Sequence, residues 1–580
     1  MLAWLAATTL QAIDVTRITC ETAERPLALS ASTPRFGWQL EGEAGTMQSA
    51  YAVEVYTRQG DSRTVVWESG KTASDQSQWV PYGGTSLRPM ERYFWRVRVW
   101  DEQDRPSAWS REGEFRLAPR ADFFDARWIG AITNQDARFP EGRIYEGARL
   151  KKAKAAWDAV DSLAWRSICL RKDFTASRRV ASATAYVCGL GHYELTLNGT
   201  KVGDGEFTPL ISDYDKTVYY NTYDVTDLVK PGANAAGVLL GNGFYNVMGG
   251  GRYRKLQVAF GAPTLLFQLV IDYADGTREV VKSGADWKYA LSPITFNTLY
   301  GGEDYDARLE QPGWDCPGFD DTAWKPVVLQ EAPRGALRPQ QAPPVKIMER
   351  YDVQRTHKLT PAEVDSACVS TKRTVDPSAL MFDMGQNLAG FPEITVQGKR
   401  GQQVTILVGE ALTPEHAVNQ RQTGRQYYCT YTLKGDGVET WHPRFTYYGF
   451  RYIQVEGAVM KGQKNPHRLP VIQKIQSCFV YNSAPKISTF ECSNRIFNDA
   501  HRLIEKAVRS NMQSVFTDCP HREKLGWLEQ DHLCGPGLLY NYDLTGFVPQ
   551  TLQNIADAQH ANGAVPTTAP EYVVFEGPGM

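Results

Sequence analysis

The stretch from Asp518 to Asp531 reads Asp-Cys-Pro-His-Arg-Glu-Lys-Leu-Gly-Trp-Leu-Glu-Gln-Asp. It gathers four carboxylates, Asp518, Glu523, Glu529 and Asp531, around His521, Arg522, Trp527 and His532. A charge held in a folded interior needs a partner, so such a mixture is costly unless it does chemistry. Two acids in unlike surroundings can divide into a proton donor with a raised pKa and an ionised partner that activates water or attacks carbon. Glycoside hydrolysis uses such a pair, about 6.5–9.5 Å apart when the product inverts. Arg522 and Trp527 would brace the acids and hold sugar hydroxyls. The competing reading is a solvated loop whose acids pair with Arg522 and Lys524, and composition alone favours it. Cys519, beside Asp518 and near His521, has the neighbours of a nucleophile but reads better as a small buried hydrophobe.

The elements around the motif must position it. Before it, Ser493 is placed to cap a helix carrying Ile496, Phe497, Ala500, Leu503, Ile504, Ala507 and Val508 on one face. Pro520 and Gly526 break the segment of the motif itself. A further helix is expected from about Leu544 to His560, with Pro549 in its first turns and Asn562-Gly563 as the stop. Upstream the period changes to two. Tyr51–Tyr56 and Tyr93–Trp100 alternate as strands, and residues 13–118 read as an immunoglobulin-like or fibronectin-like sandwich with Trp38 and Trp95 in its core. Residues 119–342 carry Tyr193–Gly199 and many Asn-Gly, Asp-Gly and Pro-Gly turns, the pattern of a jelly roll, with a charged Ala-rich excursion from Gly147 to Asp161. Gly249–Gly251 followed by Arg252 lacks the Gly-Lys-Ser/Thr ending of a phosphate loop and reads as a plain loop. A linker-like Pro339–Val345 leads into a third β region, 343–485, with Val404–Glu410 and Tyr452–Glu456 alternating.

Composition bounds the classes of function. A chain of 580 residues suggests about four domains. A net charge of −2 gives no electrostatic case for nucleic acid as a partner. No apolar run is long enough to span a membrane. Met1–Ala12 resembles the tail of a secretory signal peptide without its basic start, which points to a periplasmic or secreted protein. Ten cysteines without a Cys-x-x-Cys pair argue against a zinc site and against a dense disulfide framework.

Thr517–Trp527 resembles the signature of the bacterial α-L-rhamnosidase family, glycoside hydrolase family 78. The resemblance extends along the chain in order. Thr33–Trp38 and Tyr93–Asp101 are similar to the family's fibronectin-like domain. Tyr193–Gly199, Tyr223–Asp227 and Gly241–Tyr245 are similar to its sugar-binding-like jelly roll, and Phe382–Gly390 and Pro443–Tyr452 to the β-sandwich before the barrel. The resemblance implies a mainly β, multidomain chain: three β-sandwich domains followed, over 486–580, by the N-terminal part of an (α/α)6 barrel. It implies inverting hydrolysis of terminal α-L-rhamnose from a rhamnose-containing glycoside or polysaccharide, with no cofactor required. Glu523 is then the general acid, Asp518 a contact to the rhamnose hydroxyls, and Arg522 and Trp527 walls of the pocket. Some members bind rhamnose through calcium near a segment like Gly241-Asn242-Gly243, which makes Asn242 a candidate calcium ligand, with a turn residue as the plainer alternative.

Two departures stand out. Many members carry an aspartate twelve positions after the first motif aspartate; here that position is Gln530, flanked by Glu529 and Asp531, of which Glu529 is the favoured substitute for sugar binding. A barrel of twelve helices also needs far more than the residues after 490. The family's base is expected beyond residue 580, so the chain reads as truncated and unable to complete the reaction. Alternatives are a carbohydrate-binding protein without catalysis, and another (α/α)6 inverting hydrolase or a lyase using His521 or His532 as base.

Overall fold

Period-two alternation becomes strand along most of this chain, and the change of period near 490 becomes helix. The computed structural model describes residues 13–60, 62–140, 144–145, 151–248, 251–421 and 426–574. The leader-like 1–12, residues 147–150 of the Ala-rich excursion and Gly249-Gly250 lie outside the described residues. The molecule is a mainly β, multidomain protein. Among the described residues no helix is long and apolar enough to cross a membrane.

One compact unit spans Met1–Asp125. Ile13–Cys20, Arg35–Gly42 and Val80–Pro81 make one sheet, and Gln48–Gln59 lies between Ser62–Glu68 and Tyr93–Asp101 in another. Tyr93, Trp95, Val97 and Val99 point inward at alternate positions, and Trp38 joins them in the core. Trp38 Nε1 donates to Gln48 Oε1 at 2.9 Å, which satisfies its one polar atom.

The second unit spans Ala126–Met580. Its first layer pair is a six-stranded and a seven-stranded sheet. Tyr193, Leu195 and Leu197 from one face Leu265, Phe267, Leu269 and Ile271 from the other in a single apolar core. An eleven-stranded sheet follows, organised on the long strand Leu380–Gln397. Tyr448–Glu456 pairs with its first half and Val471–Asn482 with its second, across a register shift between Asp383 and Leu388. This sheet also takes in Ile294–Thr298 and Gly302–Asp306, the latter parallel to Tyr428–Thr432. It therefore draws strands from both sides of the linker-like segment. Helix α1, Pro361–Thr371, lies in this region, where the alternation suggests only strands; Thr360 and Glu363 close its N-terminus with a reciprocal capping box.

Helices α2 (Arg495–Asn511), α3 (Leu528–Asn541) and α4 (Phe547–Ala558) complete the described chain. The cap of α2 is Asn494, whose Oδ1 accepts from the Ile496 amide at 2.9 Å, one residue later than Ser493. Pro549 sits in the first turn of α4, where its missing amide costs nothing. The face of α2 expected to be core is open: Ile496, Phe497, Leu503 and Ile504 are 61–74% exposed. The helix meets the β framework with its polar side instead. Lys506 Nζ donates to Gln386 Oε1 at 2.5 Å, Arg509 Nη1 to Glu349 Oε1 at 3.2 Å, and Glu505 pairs with Lys486. Leu533, Leu539 and Tyr540 of α3 and Leu552 of α4 are exposed as well.

Candidate active site

The acidic motif is a loop clamped from both sides between α2 and α3. At its start the Asn482 amide donates to Met512 O at 2.7 Å, and the Thr517 amide to Asn511 O at 2.9 Å. Pro520–Glu523 form a turn that Lys524 leaves in the left-handed region, at φ +55°. The Lys524 side chain does not pair with the motif's acids. It runs into the β framework, where Nζ donates to the carbonyls of Leu299 and Tyr447, both at 2.6 Å. The rings of Tyr300, Tyr427, Tyr447 and Tyr448 surround it at 4.6–5.5 Å. Burial pushes this amine well below the usual lysine range. Two close approaches need glycine. A Cβ on Gly449 would stand 2.7 Å from Pro520 Cγ, and one on Gly526 2.4 Å from the Ala569 carbonyl. Gly526 is instead bonded across to Ala569, and Leu528 to Thr567, at 2.9 and 3.0 Å.

Held this way, Glu523 is partly buried with both carboxylate oxygens engaged. Lys255 Nζ donates to Oε1 at 3.1 Å and Trp527 Nε1 to Oε2 at 3.0 Å, with Arg522 Nη2 3.5 Å from Oε1. Burial works to raise its pKa, but Lys255, Trp527 and Arg522 outweigh it and hold the group below the usual glutamate range. Two tyrosines fix its backbone: Tyr300 Oη donates to Glu523 O at 2.8 Å and Tyr253 Oη to Arg522 O at 3.1 Å.

The neighbouring acids shift the other way. Burial, reinforced by the charge of Glu523, raises Asp518. Burial alone raises Asp531 to about 7. Oδ1 of each is buried and accepts no hydrogen bond among the described residues. A native interior rarely leaves such acceptors unpaired without a use for them. Glu529, the acid favoured from spacing, is exposed on the first turn of α3, and His532 is exposed too. Asp531, two residues on, is the partly buried one. His521 lies 3.5 Å from Glu410, and burial lowers its pKa. Burial also raises the Cys519 thiol, which keeps it from being a ready nucleophile.

Asp518, Arg522, Glu523 and Trp527 thus meet in one loop. Asn242 lies apart from this loop, in the core, where its amide makes the contacts of a structural turn residue. It is fully buried, its Nδ2 donates to the carbonyls of Trp165 and Asn297 at 2.9 and 3.0 Å, and its Oδ1 accepts from Asn246 at 3.2 Å. Its amide braces three loops in the core. Lys255, Tyr253, Tyr300 and the inward turn of Lys524 escaped sequence reasoning. The one local signal was the run Arg252–Lys255 after the glycines; Arg252 anchors it with two hydrogen bonds to Asp304, at 2.8 and 2.7 Å.

Four family profiles match consecutive parts of the chain. They are a Rha78A-like N-terminal immunoglobulin domain over 15–120 and an alpha-L-rhamnosidase N-terminal domain over 178–349. A bacterial alpha-L-rhamnosidase concanavalin-like domain follows over 373–481, and a bacterial alpha-L-rhamnosidase six-hairpin glycosidase domain over 485–579. An alpha-L-rhamnosidase of Formosa agariphila is 34% identical over 562 residues, 94% of this chain and 56% of that protein. One from Streptomyces avermitilis is 30% identical, covering 97% of this chain and 66% of that protein. Among solved structures, an alpha-L-rhamnosidase from Dictyoglumus thermophilum superposes with a TM-score of 0.80 at 30% identity, over 97% of this chain and 60% of that one. The Streptomyces avermitilis alpha-L-rhamnosidase complexed with L-rhamnose gives 0.82 at 29%, over 96% and 66%. The chain spans a little over half the length of the first of these relatives.

Proposed function

Because the chain belongs to the bacterial α-L-rhamnosidase family, glycoside hydrolase family 78, we propose that its acidic loop is one wall of a site that releases terminal α-L-rhamnose from glycosides with inversion. The observation that carries this reading is the set of acids around Trp527. Glu523 is locked in place while Asp518 and Asp531 each hold a buried, unpaired carboxylate oxygen. Unpaired acceptors facing a polar substrate are what sugar hydroxyls, as donors, would satisfy. Asp518 and Asp531 bind the sugar, Asp531 taking the place expected for Glu529, and Arg522 and Trp527 shape the pocket.

Glu523 is the proton donor. Its proton passes to the glycosidic oxygen as the bond to the anomeric carbon breaks. A water adds from the opposite face, losing its proton to a carboxylate base. At rest Lys255 keeps Glu523 ionised. Substrate that draws Lys255 away and excludes water raises the carboxyl towards the range a donor needs. No residue among those described is assigned as that base. The domain reading remains three sandwiches (13–118, 119–342 and 343–485), with Ile294–Thr298 and Gly302–Asp306 lending strands to the third sheet. The apolar faces of α2, α3 and α4, open to solvent, support only the reading of 486–580 as the beginning of an (α/α)6 barrel, whose further helices would cover them.

Sugar binding without turnover is the second reading for the chain as it stands, favoured by the ionised state of Glu523. Both are tested with an aryl α-L-rhamnoside. The chain alone is expected to release no rhamnose. A fusion continuing it past Met580 with the C-terminal part of the Streptomyces avermitilis relative is expected to do so. In that fusion Glu523→Gln should lower kcat by about 10²–10⁴-fold. Unchanged turnover would remove Glu523 as the donor, and rhamnose release by the chain alone would refute the incomplete site. Calorimetry with L-rhamnose on the chain, beside Asp518→Asn, reads binding separately.

A further inference from the structure

A second constellation lies away from the acidic loop, on the region of the long central sheet. His357 comes from the strand Arg355–Lys358, Glu363 from the first turn of α1, and His416 from the turn joining Thr413 to Ala417. His357 Nε2 is 3.1 Å from each Glu363 oxygen, and His416 Nδ1 is 2.9 Å from Oε1. The two imidazoles stand 4.6 Å apart, and the three donor atoms lie within 4.8 Å of one another. We propose that His357, Glu363 and His416 form a binding site for one divalent transition-metal ion, with zinc the best fit, that ties α1 to the sheet.

Each part of the surroundings favours this over a chance ion pair. Metal–ligand bonds of about 2.0–2.1 Å in a tetrahedron put neighbouring donors about 3.3 Å apart, so the carboxylate–imidazole contacts of 2.9 and 3.1 Å need to open only slightly to admit an ion. Two imidazoles and one carboxylate suit zinc, copper or nickel far better than calcium or magnesium, which prefer all-oxygen shells. Glu363 divides its two oxygens. Oε2 accepts from the Thr360 amide at 2.7 Å and the Thr360 hydroxyl at 3.0 Å, while Oε1 faces His416. The capping box thereby orients the carboxylate from behind, as outer hydrogen bonds do for metal ligands.

His416 stands in the left-handed region, φ +62°, which among non-glycine residues histidine adopts more readily than most. Its turn is closed by bonds from Thr413 to Ala417 and from His416 to Thr413, at 2.8 and 3.0 Å. Next to it, Glu415 Oε1 accepts from Ser366 and Ser370 of α1, at 3.2 and 3.0 Å, so the turn is fastened to the helix that carries Glu363. Beneath, Leu359, Val364, Ala367, Met381 and Ala417 pack in one apolar cluster. A capping box explains Glu363 alone. It does not explain two histidines from separate elements converging on its Oε1. The ligands remain open enough to solvent for an ion to enter and for water to fill a fourth position.

The test uses the intact chain, stripped with chelator and titrated with zinc chloride by calorimetry, with thermal unfolding followed in parallel. One zinc per chain and a rise in Tm are expected, since an ion that binds only the folded state stabilises it. Glu363→Gln keeps the capping box, which glutamine also forms, and should weaken zinc on the order of 100-fold; His416→Ala should do the same. Ser370→Ala, which loosens only the brace, should weaken it about tenfold. Because 10 cysteines could also take zinc, cobalt is titrated as a spectroscopic probe. Cobalt bands without a thiolate charge-transfer component, lost in His416→Ala, support the site. Thiolate bands, zinc binding that survives the His357→Ala/His416→Ala double change, or no zinc bound at tens of micromolar would each overturn it.

Discussion

The layered β core of residues 126–485 and the helical segment from 495 to 574 obey opposite rules of burial. In the sandwich, alternate residues of each strand meet a facing sheet, and Phe267 is fully buried with its ring 5.3 Å from Trp287. In the helical segment α2 turns its polar side to the framework and its apolar stripe to solvent. An amphipathic helix normally does the reverse. The difference teaches that an amphipathic stripe alone does not decide which face is buried. The sheets cover each other, whereas among the described residues nothing covers the apolar stripe of α2.

Breaking this contrast produces the largest expected effect. Phe267→Ala should cost about 3–5 kcal/mol in a denaturant melt, because a closed core cannot collapse around the lost ring. Leu503→Ala should change stability by no more than about 0.5 kcal/mol, since it removes nothing already buried. If the two cost the same, the α2 face is covered in solution and the contrast is false. Lys524→Met probes the seam between the regions. It strips the donor from the Leu299 and Tyr447 carbonyls, at about 1–3 kcal/mol for each buried acceptor left unpaired. Hydrogen exchange across 518–527 should then quicken while the sandwich stays protected; uniform exchange in both would mean that the lysine does not clamp the loop. The smallest effect sharpens the chemistry of the helical side. Asp531 is raised from 3.8 to about 7 by burial. Between those values the folded chain holds a proton that the unfolded chain has released, so stability falls as pH rises through this window. Asp531→Asn should flatten that slope, leaving stability near pH 3.5 little changed and improving it at pH 8. A slope that persists would assign it to another group.

The strands were legible because alternation is a local record of two-sided surroundings, and Trp95–Asp101 and Tyr193–Leu197 follow it residue by residue. Helix α2 was legible as a helix but not in its orientation, because a periodic stripe says which face is apolar and not what will meet it. Helix α3 was missed. It contains Gly535, Pro536 and Gly537, residues of poor helix propensity, where tertiary packing overrides the local preference. The capping box of α1, Thr360 to Glu363, was readable and passed over in a stretch that otherwise reads as strand.

At the acidic loop, residue types alone established that Asp518, Arg522, Glu523 and Trp527 would lie close together, since a short loop between breakers leaves them nowhere else to go. Their protonation was decided by distant residues. Lys255, more than 260 positions upstream, holds Glu523 ionised, and burial against the framework raises Asp518 and Asp531. That Asp531 is partly buried and Glu529 exposed followed from which side of a helix faces protein. Asn242 proved to be buried, with its amide braced against Trp165, Asn297 and Asn246, contacts that only the tertiary structure supplies. The convergence of His357 and His416 on Glu363 leaves no mark in cysteine or histidine spacing. Sequence thus determined what is local, period, turn and motif; burial and long-range charge, which set pKa and ligand geometry, exist only once remote strands and loops have been brought together.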